Sequence, residues 1–470
     1  MAPSATISNR TFDEIQVGDS ATDVRTISRD DIHLFALISG DRNPTHMDES
    51  FALERLSGPP QAHSMLGGSL FSAVLGNKLP GWGTIYKSQT LKFLALVREG
   101  DELTLSVTAR TKEDASKVII FDCSAINQRG VTVITGEAEV VAPAERITHE
   151  ISDLPDVTLF RHDGFDPLIQ RCKEVPPVVT AVAHPCDEVS LQGVVDAVKA
   201  EIIDPILVGP EARIRAVAAE FNLDISGFAI VDTEHSHDSA RVAVELVRQG
   251  KAEALMKGSL HTDELMHEVT SRETGLRTER RLSHAFVMSV ATYGQPLIVT
   301  DAAINIYPDL AAKADICQNA IEVAHAIGID EPKVAILSAV ETVTPKIPST
   351  LEAAALCKMA DRGQIKGGIL DGPLAFDNAI SLEAARTKGI ESPVAGQANI
   401  LLVPDLEAGN MLAKQLSFLA KADAAGIVLG ARVPIILTSR ADSVRTRIAS
   451  CAVAATIAEK RRRETKLAAE

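Results

Sequence analysis

Short, unbroken runs of aliphatic residues recur through the latter part of the chain, and they constrain its fold more than any other feature. "PILVG" (205–209), "GFAIVDT" (227–233), "AEALMKG" (252–258), "PLIVTD" (296–301), "KVAILSAV" (333–340), "GGILDG" (367–372), "NILLVPD" (399–405) and "VPIILTS" (433–439) each lack the polar alternation of a half-exposed strand. A strand with no polar face must be covered on both faces. Between these runs lie helical stretches such as "PEARIRAVAAEF" (210–221) and "HDSARVAVELVRQG" (237–250). Buried strands alternating with helices predict parallel α/β units. The stretch 165–470 is long for one such unit, which predicts two α/β subdomains with a cleft, the inner one over about 300–435.

The chain in front of this follows other rules. "DIHLFALISG" has helical apolar spacing, and "MLGGSLFSAVLGNKL" (65–79) is apolar on nearly all sides, as a buried central helix would be. Four β-forming runs follow, "TIYKSQTLKFLALV", "DELTLSVTAR", "KVIIFDCSAIN" and "VTVITGEAEVV", separated by turn-prone pieces such as Gln128-Arg129-Gly130. One apolar helix and an antiparallel meander predict an α+β domain over 12–142 with the sheet wrapped around the helix. Residues 143–164 lose periodicity and read as a linker.

A net charge of −16 excludes a broad nucleic-acid or anionic-membrane surface, so a phosphate-bearing ligand must be caught by a few local arginines or lysines. The basic run Lys460-Arg461-Arg462-Arg463 is expected to be a solvated helix end or a docking patch. Six scattered cysteines without a Cys-x-x-Cys spacing suit a reducing cytoplasm, and no signal peptide is visible. The longest apolar stretch, "GIVLGARVPIILT", is short for a bilayer and broken by Arg432 and Pro434. No metal site and no bound cofactor are expected.

The stretch "SGDRNPTHMD" (39–48) gathers two carboxylates, an amide and an imidazole around Pro44. A calcium loop would need a glycine at its turn and a distal glutamate, and zinc would need more His or Cys nearby. Two readings remain open from spacing: Asp41 or Asn43 caps a helix, or Asp41 and His46 face one point across the turn as an acid/base pair. With "AHSMLGGSLFSAVLGNKLPGWGTIYKSQTLKF" and "REGDELTLSV" following in order, the segment resembles the MaoC-type (R)-specific enoyl-CoA hydratases of hot-dog fold. The resemblance implies that Asp41 and His46 add water to a trans-2-enoyl-CoA, with Asn43 shaping the turn. It implies that an amide at the start of the 65–79 helix polarises the thioester, and that Ser72 lines the site. Where the family carries glycine in a His-Gly-Met triplet, this chain has His63-Ser64-Met65, so Ser64 supplies the N–H and adds a Cβ.

Three stretches stand out further on. In "VAGQANILLVPDLEAGNMLAKQL" (394–416), glycines, Asn399 and Asn410 surround a strand-to-helix turn suited to an anion, or to plain turn chemistry. In "ILTSRADSVRTR" (436–447), Ser439 and Arg440 end a strand, while Asp442 and Ser443 open a helix. That pattern fits a phosphate or an ordinary cap. In "ALMKGSLHTDEL" (254–265), Lys257, Ser259 and Thr262 follow a strand, where open α/β sheets bind ligands. Phosphate-loop and Rossmann glycine motifs are absent.

With "GGILDGPLAFDNAIS" (367–381) and "SAVETVTPKIPST" (338–350), these stretches resemble the phosphate acetyl/butyryltransferases over 165–470. "DGPLAFDNA" and "TSRADS" look closer to the butyryl branch. The resemblance implies an isocitrate/isopropylmalate-dehydrogenase-like α/β fold with the site in the cleft, and acyl transfer between CoA and inorganic phosphate without metal. It implies that Ser439 and Arg440 hold acyl phosphate and that Lys257, Ser259 and Thr262 line the phosphate end. The acidic base of the acetyl branch is replaced by Thr446, leaving Asp442 as the nearest carboxylate. An arginine of that branch is missing near Met266-His267, and Arg280 or Arg281 stands in.

The expected protein is a bifunctional acyl-CoA enzyme whose substrates are CoA thioesters and phosphate. It is expected to form a homo-oligomer, with no nucleic-acid or membrane partner. Rival readings are an NAD-dependent decarboxylating dehydrogenase in the C-terminal half, with Asp371 and Asp377 as metal carboxylates, and one half serving only to bind acyl-CoA or to oligomerise.

Overall fold

The computed structural model describes residues 6–56, 58–150, 155, 157–438 and 442–469. The chain forms two compact units, Met1–Val157 and Thr158–Glu470.

In the first unit an antiparallel sheet runs in the order Ser20–Thr26, Glu102–Glu113, Val118–Asn127, Thr132–Val141, Ile85–Phe93. Alternation sets its faces: Leu103, Leu105, Val107 and Ala109 are buried while the residues between them point outward. Against the buried face lies helix Ser64–Asn77, contributing Leu66, Phe71, Val74 and Leu75 to one core with Ile119, Phe121 and Val140. Gly67 and Gly68 permit this approach, since a Cβ there would stand 2.8 Å from Ile134 Cδ1 and 2.5 Å from Leu91 Cδ1. A sheet wrapped on a central helix is the hot-dog arrangement. The helix, read as buried, keeps one side open: Ser64, Met65 and Ser72 are exposed. Strand Ser20–Thr26 and helix Glu49–Leu56 were not foreseen, and the stretch read as a linker holds Thr148–Glu150, paired with Thr6–Ser8.

The second unit is built on one continuous sheet. Among the described residues its strands run Ala229–Val231, Ile203–Val208, Val178–Ala183, Ala254–Lys257, Ile435–Ile436, Asp423–Leu429, Ser283–Ser289, Leu297–Thr300, Ile400–Leu402, Lys333–Leu337, Ile369–Leu374. Most neighbours are parallel, but Ser283–Ser289 is antiparallel to both of its neighbours, as is Asp423–Leu429. Unbroken apolar runs report two covered faces and say nothing of direction, so this reversal at the middle was not readable from them.

The final helix, Val444–Ala469, crosses this unit and corrects the expectation of a solvated basic end. Arg462 donates from Nε to Glu253 (2.6 Å) and from its Nη groups to the carbonyls of Pro176 (3.1 Å) and Pro177 (3.4 Å). Arg461 donates to the carbonyl of Arg432 (2.8 Å). No helix among the described residues is long and apolar enough to cross a membrane.

Candidate active site

Helix Arg29–Ser39 ends at Gly40, whose φ of 77° turns the chain sharply into Asp41. Asn43 then caps Pro44–Met47, its Oδ1 accepting from the N–H and hydroxyl of Thr45 (3.1 and 3.0 Å). The cap therefore belongs to Asn43 and not to Asp41. Asp41 receives the Asn43 N–H on Oδ1 (3.1 Å), and its Oδ2 stands 3.9 Å from His46 Nε2. The His46 Nδ1 faces the carbonyl of Gln61 at 2.8 Å. A carbonyl only accepts, so Nδ1 carries a proton, and it is Nε2 that is left facing Asp41. A 3.9 Å gap is too wide for a direct bond and is the span one water bridges.

His63 completes this cluster, and sequence reasoning missed it. It precedes helix Ser64–Asn77, its Nε2 donates to the Asp41 carbonyl (3.1 Å), and its ring stacks on His46 at 3.8 Å between centroids. Burial, chiefly, holds its imidazole below the usual histidine range. The triplet His63-Ser64-Met65 had been read only for its amide, and 22 residues separate His63 from Asp41. Among the described residues Asp41, His46 and His63 are the group that could hold a metal, with one ligand atom each within 4.8 Å of the others. The rings are only 30° from parallel, so their lone pairs do not converge and an ion would have to turn one of them. Ser64 opens the helix, where the first N–H groups have no intrahelical partner. Ser72 is exposed on the same helix.

In the second unit Thr262, Arg280 and Arg281 line one cavity of about 640 Å³. Arg277, His267 and Asn305 line it too, and sequence reasoning had passed over them. The signal for Arg277 was its place four residues before Arg281 in "RTERR". Arg281 is positioned from below: its Nε donates to Asn305 Oδ1 (2.7 Å). Asn305 is gripped in turn by buried Asp301, which accepts its backbone and side-chain N–H groups (3.2 and 2.5 Å) and those of Ala303 and Ile304 (2.9 and 3.0 Å). Arg280 pairs with Glu322.

The other predicted residues lie elsewhere. Lys257 Nζ donates to the carbonyls of Gly258 and Leu260, and Ser259 Oγ donates to that of His184 (2.8 Å). Neither is among the cavity's lining residues. Asn399 is buried in the core, where it accepts the Lys333 N–H (3.1 Å) and donates to Gln295 (3.1 Å), tying neighbouring segments together. Asn410 donates to the Ala302 carbonyl (3.1 Å), bracing the 301–305 loop from beneath. Ser443 accepts the Thr446 N–H (3.1 Å) at the start of the last helix, and Asp442 beside it is half-buried. Ser439 and Arg440 lie outside the described residues.

Beneath the loop, burial pushes the His284 imidazole down to about 4 despite the pull of Asp301. The unfolded histidine takes a proton near 6.5 and the folded one only near 4, so between these values the unfolded chain binds more protons. Stability from this group is complete above 6.5 and is lost as pH falls towards 4. Urea unfolding between pH 7 and 4 is expected to show a shallower loss in His284→Gln than in the wild type. Equal slopes would remove His284 from the balance.

Comparison with known proteins falls on the same two units. Residues 233–455 match the family described as "Phosphate acetyl/butaryl transferase", and residues 15–125 match the "MaoC like domain". A phosphate acetyltransferase of Rhizobium meliloti is 68% identical over 298 residues, 63% of this chain and 94% of that protein. A phosphate butyryltransferase of Clostridium acetobutylicum is 46% identical over 288 residues, 61% of this chain and 95% of that protein. The crystal structure of a branched-chain phosphotransacylase from Enterococcus faecalis V583 is 32% identical, covers 60% of this chain and 99% of that one, and superposes with a TM-score of 0.53. An antiparallel sheet around one helix, followed by an α/β unit with an arginine-lined cavity, is thus matched at both ends: the chain belongs to the phosphate acetyl/butyryltransferase family and carries a MaoC-like domain ahead of it.

Proposed function

We propose that the chain is bifunctional: its first unit hydrates trans-2-enoyl-CoA to (R)-3-hydroxyacyl-CoA, and its second transfers acyl groups reversibly between CoA and inorganic phosphate. The observation that supports the first activity is the Asp41–His46 gap of 3.9 Å, with Nδ1 of His46 committed to Gln61. A water held in that gap gives a proton to the pair as its oxygen bonds C3 of the enoyl chain. The pair returns a proton to C2, so the dyad ends as it began. Charge developing on the thioester oxygen meets the amide of Ser64 and the positive end of helix Ser64–Asn77. Asn43 holds the turn, and Ser72 borders the acyl chain.

In the second unit, Arg277, Arg280, Arg281 and Thr262 receive the phosphate end. The CoA thiolate attacks the acyl carbon of acetyl or butyryl phosphate, a tetrahedral oxyanion forms, and phosphate leaves with its electron pair. Ser439 and Arg440 hold and polarise the acyl phosphate, Asp442 takes the thiol proton, and Lys257 and Ser259 shape the approach from the neighbouring strand end. Its architecture is the two-lobed isocitrate-dehydrogenase-like kind, and the chain works in the cytoplasm as a homo-oligomer without metal.

The purified chain is to be assayed with crotonyl-CoA, following loss of the conjugated enoyl absorbance, and separately with acyl-CoAs of graded length plus phosphate, following free thiol. Absence of thiol release at every length would overturn the transferase assignment. Ser64 favours one second reading, because its Cβ stands where the family's glycine leaves room: the first unit binds acyl-CoA without turning it over. Saturable crotonyl-CoA binding with no hydration selects that reading.

A further inference from the structure

We propose that the second unit carries another anion site, separate from the cavity described above and suited to a small phosphate monoester that bears a hydroxyl or amino group. Its wall is the basic run of the last helix. Arg462 is held by Glu253, and Arg463 Nε by Glu459 (2.8 Å). Lys460 and Arg461 meet Arg432, Arg280 and Asn319 around a cavity of about 390 Å³, and Lys460 also borders the neighbouring cavity that Arg463 lines. That volume is within the range of small-ligand pockets.

Three features point to an occupant. Asn319 is 1% exposed, and its Nδ2 donates to the Arg281 carbonyl (3.0 Å) and to Ser283 Oγ (2.9 Å), which fixes the amide's orientation. Its Oδ1 is buried and receives no hydrogen bond, a costly state for an acceptor unless a ligand supplies a donor. Lys460 and Arg432 show no ion pair for their charged ends among the described residues. Two uncommitted cations call for a dianion, and Arg432 can grip a phosphate with two parallel N–H groups. The lining carboxylates, Glu279, Glu322 and Glu464, leave the cations in excess by one. In a chain of net charge −16, that local surplus stands out.

Arg280 lines both cavities and is paired with Glu322, which lines the second. A phosphate seated in the second cavity offers Arg280 another partner and draws it from the first. Occupancy of the two cavities is therefore opposed, and the opposition is reciprocal. This coupling rests on the transferase reading; the binding itself does not.

Ribose 5-phosphate, titrated calorimetrically into the full chain, is the probe. Expected are saturable binding at one site, a loss of affinity of at least about tenfold in Lys460→Glu, and retained binding in Arg281→Ala. Inorganic phosphate alone should bind more weakly, because it lacks a group placed for Asn319. Wild-type affinity in a Lys460→Glu chain that unfolds normally in urea, or loss of binding in Arg281→Ala, would overturn the site; equal affinity for inorganic phosphate would overturn the ligand class. Calorimetry needs no turnover, so an inactive transferase with intact binding separates the two failures. In an active enzyme, ribose 5-phosphate is expected to raise the phosphate KM, and an unchanged KM at saturation would remove the coupling.

Discussion

Hydration of crotonyl-CoA is expected to fall by about 10²–10⁴-fold when Asp41 is replaced by Asn or His46 by Ala, which is the range a positioned proton-transfer group supplies. The size follows from what each change removes. In Asp41→Asn the amide oxygen can still accept the Asn43 N–H, so the turn survives, but the second position no longer carries a basic oxygen facing His46 at 3.9 Å. In His46→Ala the ring nitrogen facing Asp41 disappears, together with the stack on His63. A comparison with Asn43→Ala separates chemistry from scaffolding. Losing that cap costs about 1 kcal/mol of stability and leaves both proton-handling groups in place. The rate of the cap variant should therefore stay within a few-fold of the wild type. Unchanged turnover in either dyad variant, once purified and shown to be folded, would falsify the acid/base assignment.

Arg281→Ala is expected to raise the phosphate KM and to lower kcat/KM for phosphate about 10–100-fold, the worth of a charge-assisted bond to a phosphoryl oxygen. Arg281 is the arginine to test because its guanidinium is fixed: Nε is tied to Asn305, which buried Asp301 holds through its side chain and backbone. A side chain held in place loses little freedom when substrate arrives. Arg281→Lys should recover only part of the loss, since an ammonium cannot reach Asn305 and phosphate with the same fork. A phosphate dependence like the wild type's in Arg281→Ala would sink the role. The same assay on Arg440→Ala tests the arginine beside Ser439.

The meander and its central helix were legible because alternation and all-apolar spacing are local signals. Helix Glu49–Leu56 was not: it is short, and Ala52 is the residue it buries. Asp41 and His46 were legible because five residues and a proline fixed their spacing. His63 and Asp301 were not, since both act through contacts that only the fold creates. The basic run misled for a related reason. A charge run looks solvated in sequence, and its partners here, Glu253 and Pro176, lie more than 200 residues away. The bond from the Lys333 N–H to Asn399, 66 residues apart, was likewise invisible among the glycines around it.

The two-residue strand Ile435–Ile436 sits between Ala254–Lys257 and Asp423–Leu429. It is the last strand of the unit in sequence and lies in the interior of its sheet. During synthesis, Ala254–Lys257 emerges with one edge unpaired, and about 180 more residues must follow before its neighbour appears. At ribosomal speeds that interval is on the order of ten to thirty seconds. An apolar strand edge left open so long is a template for pairing with another nascent chain. Yield of folded protein should therefore depend on how fast the chain is translated between those two strands and on whether a chaperone covers the edge meanwhile.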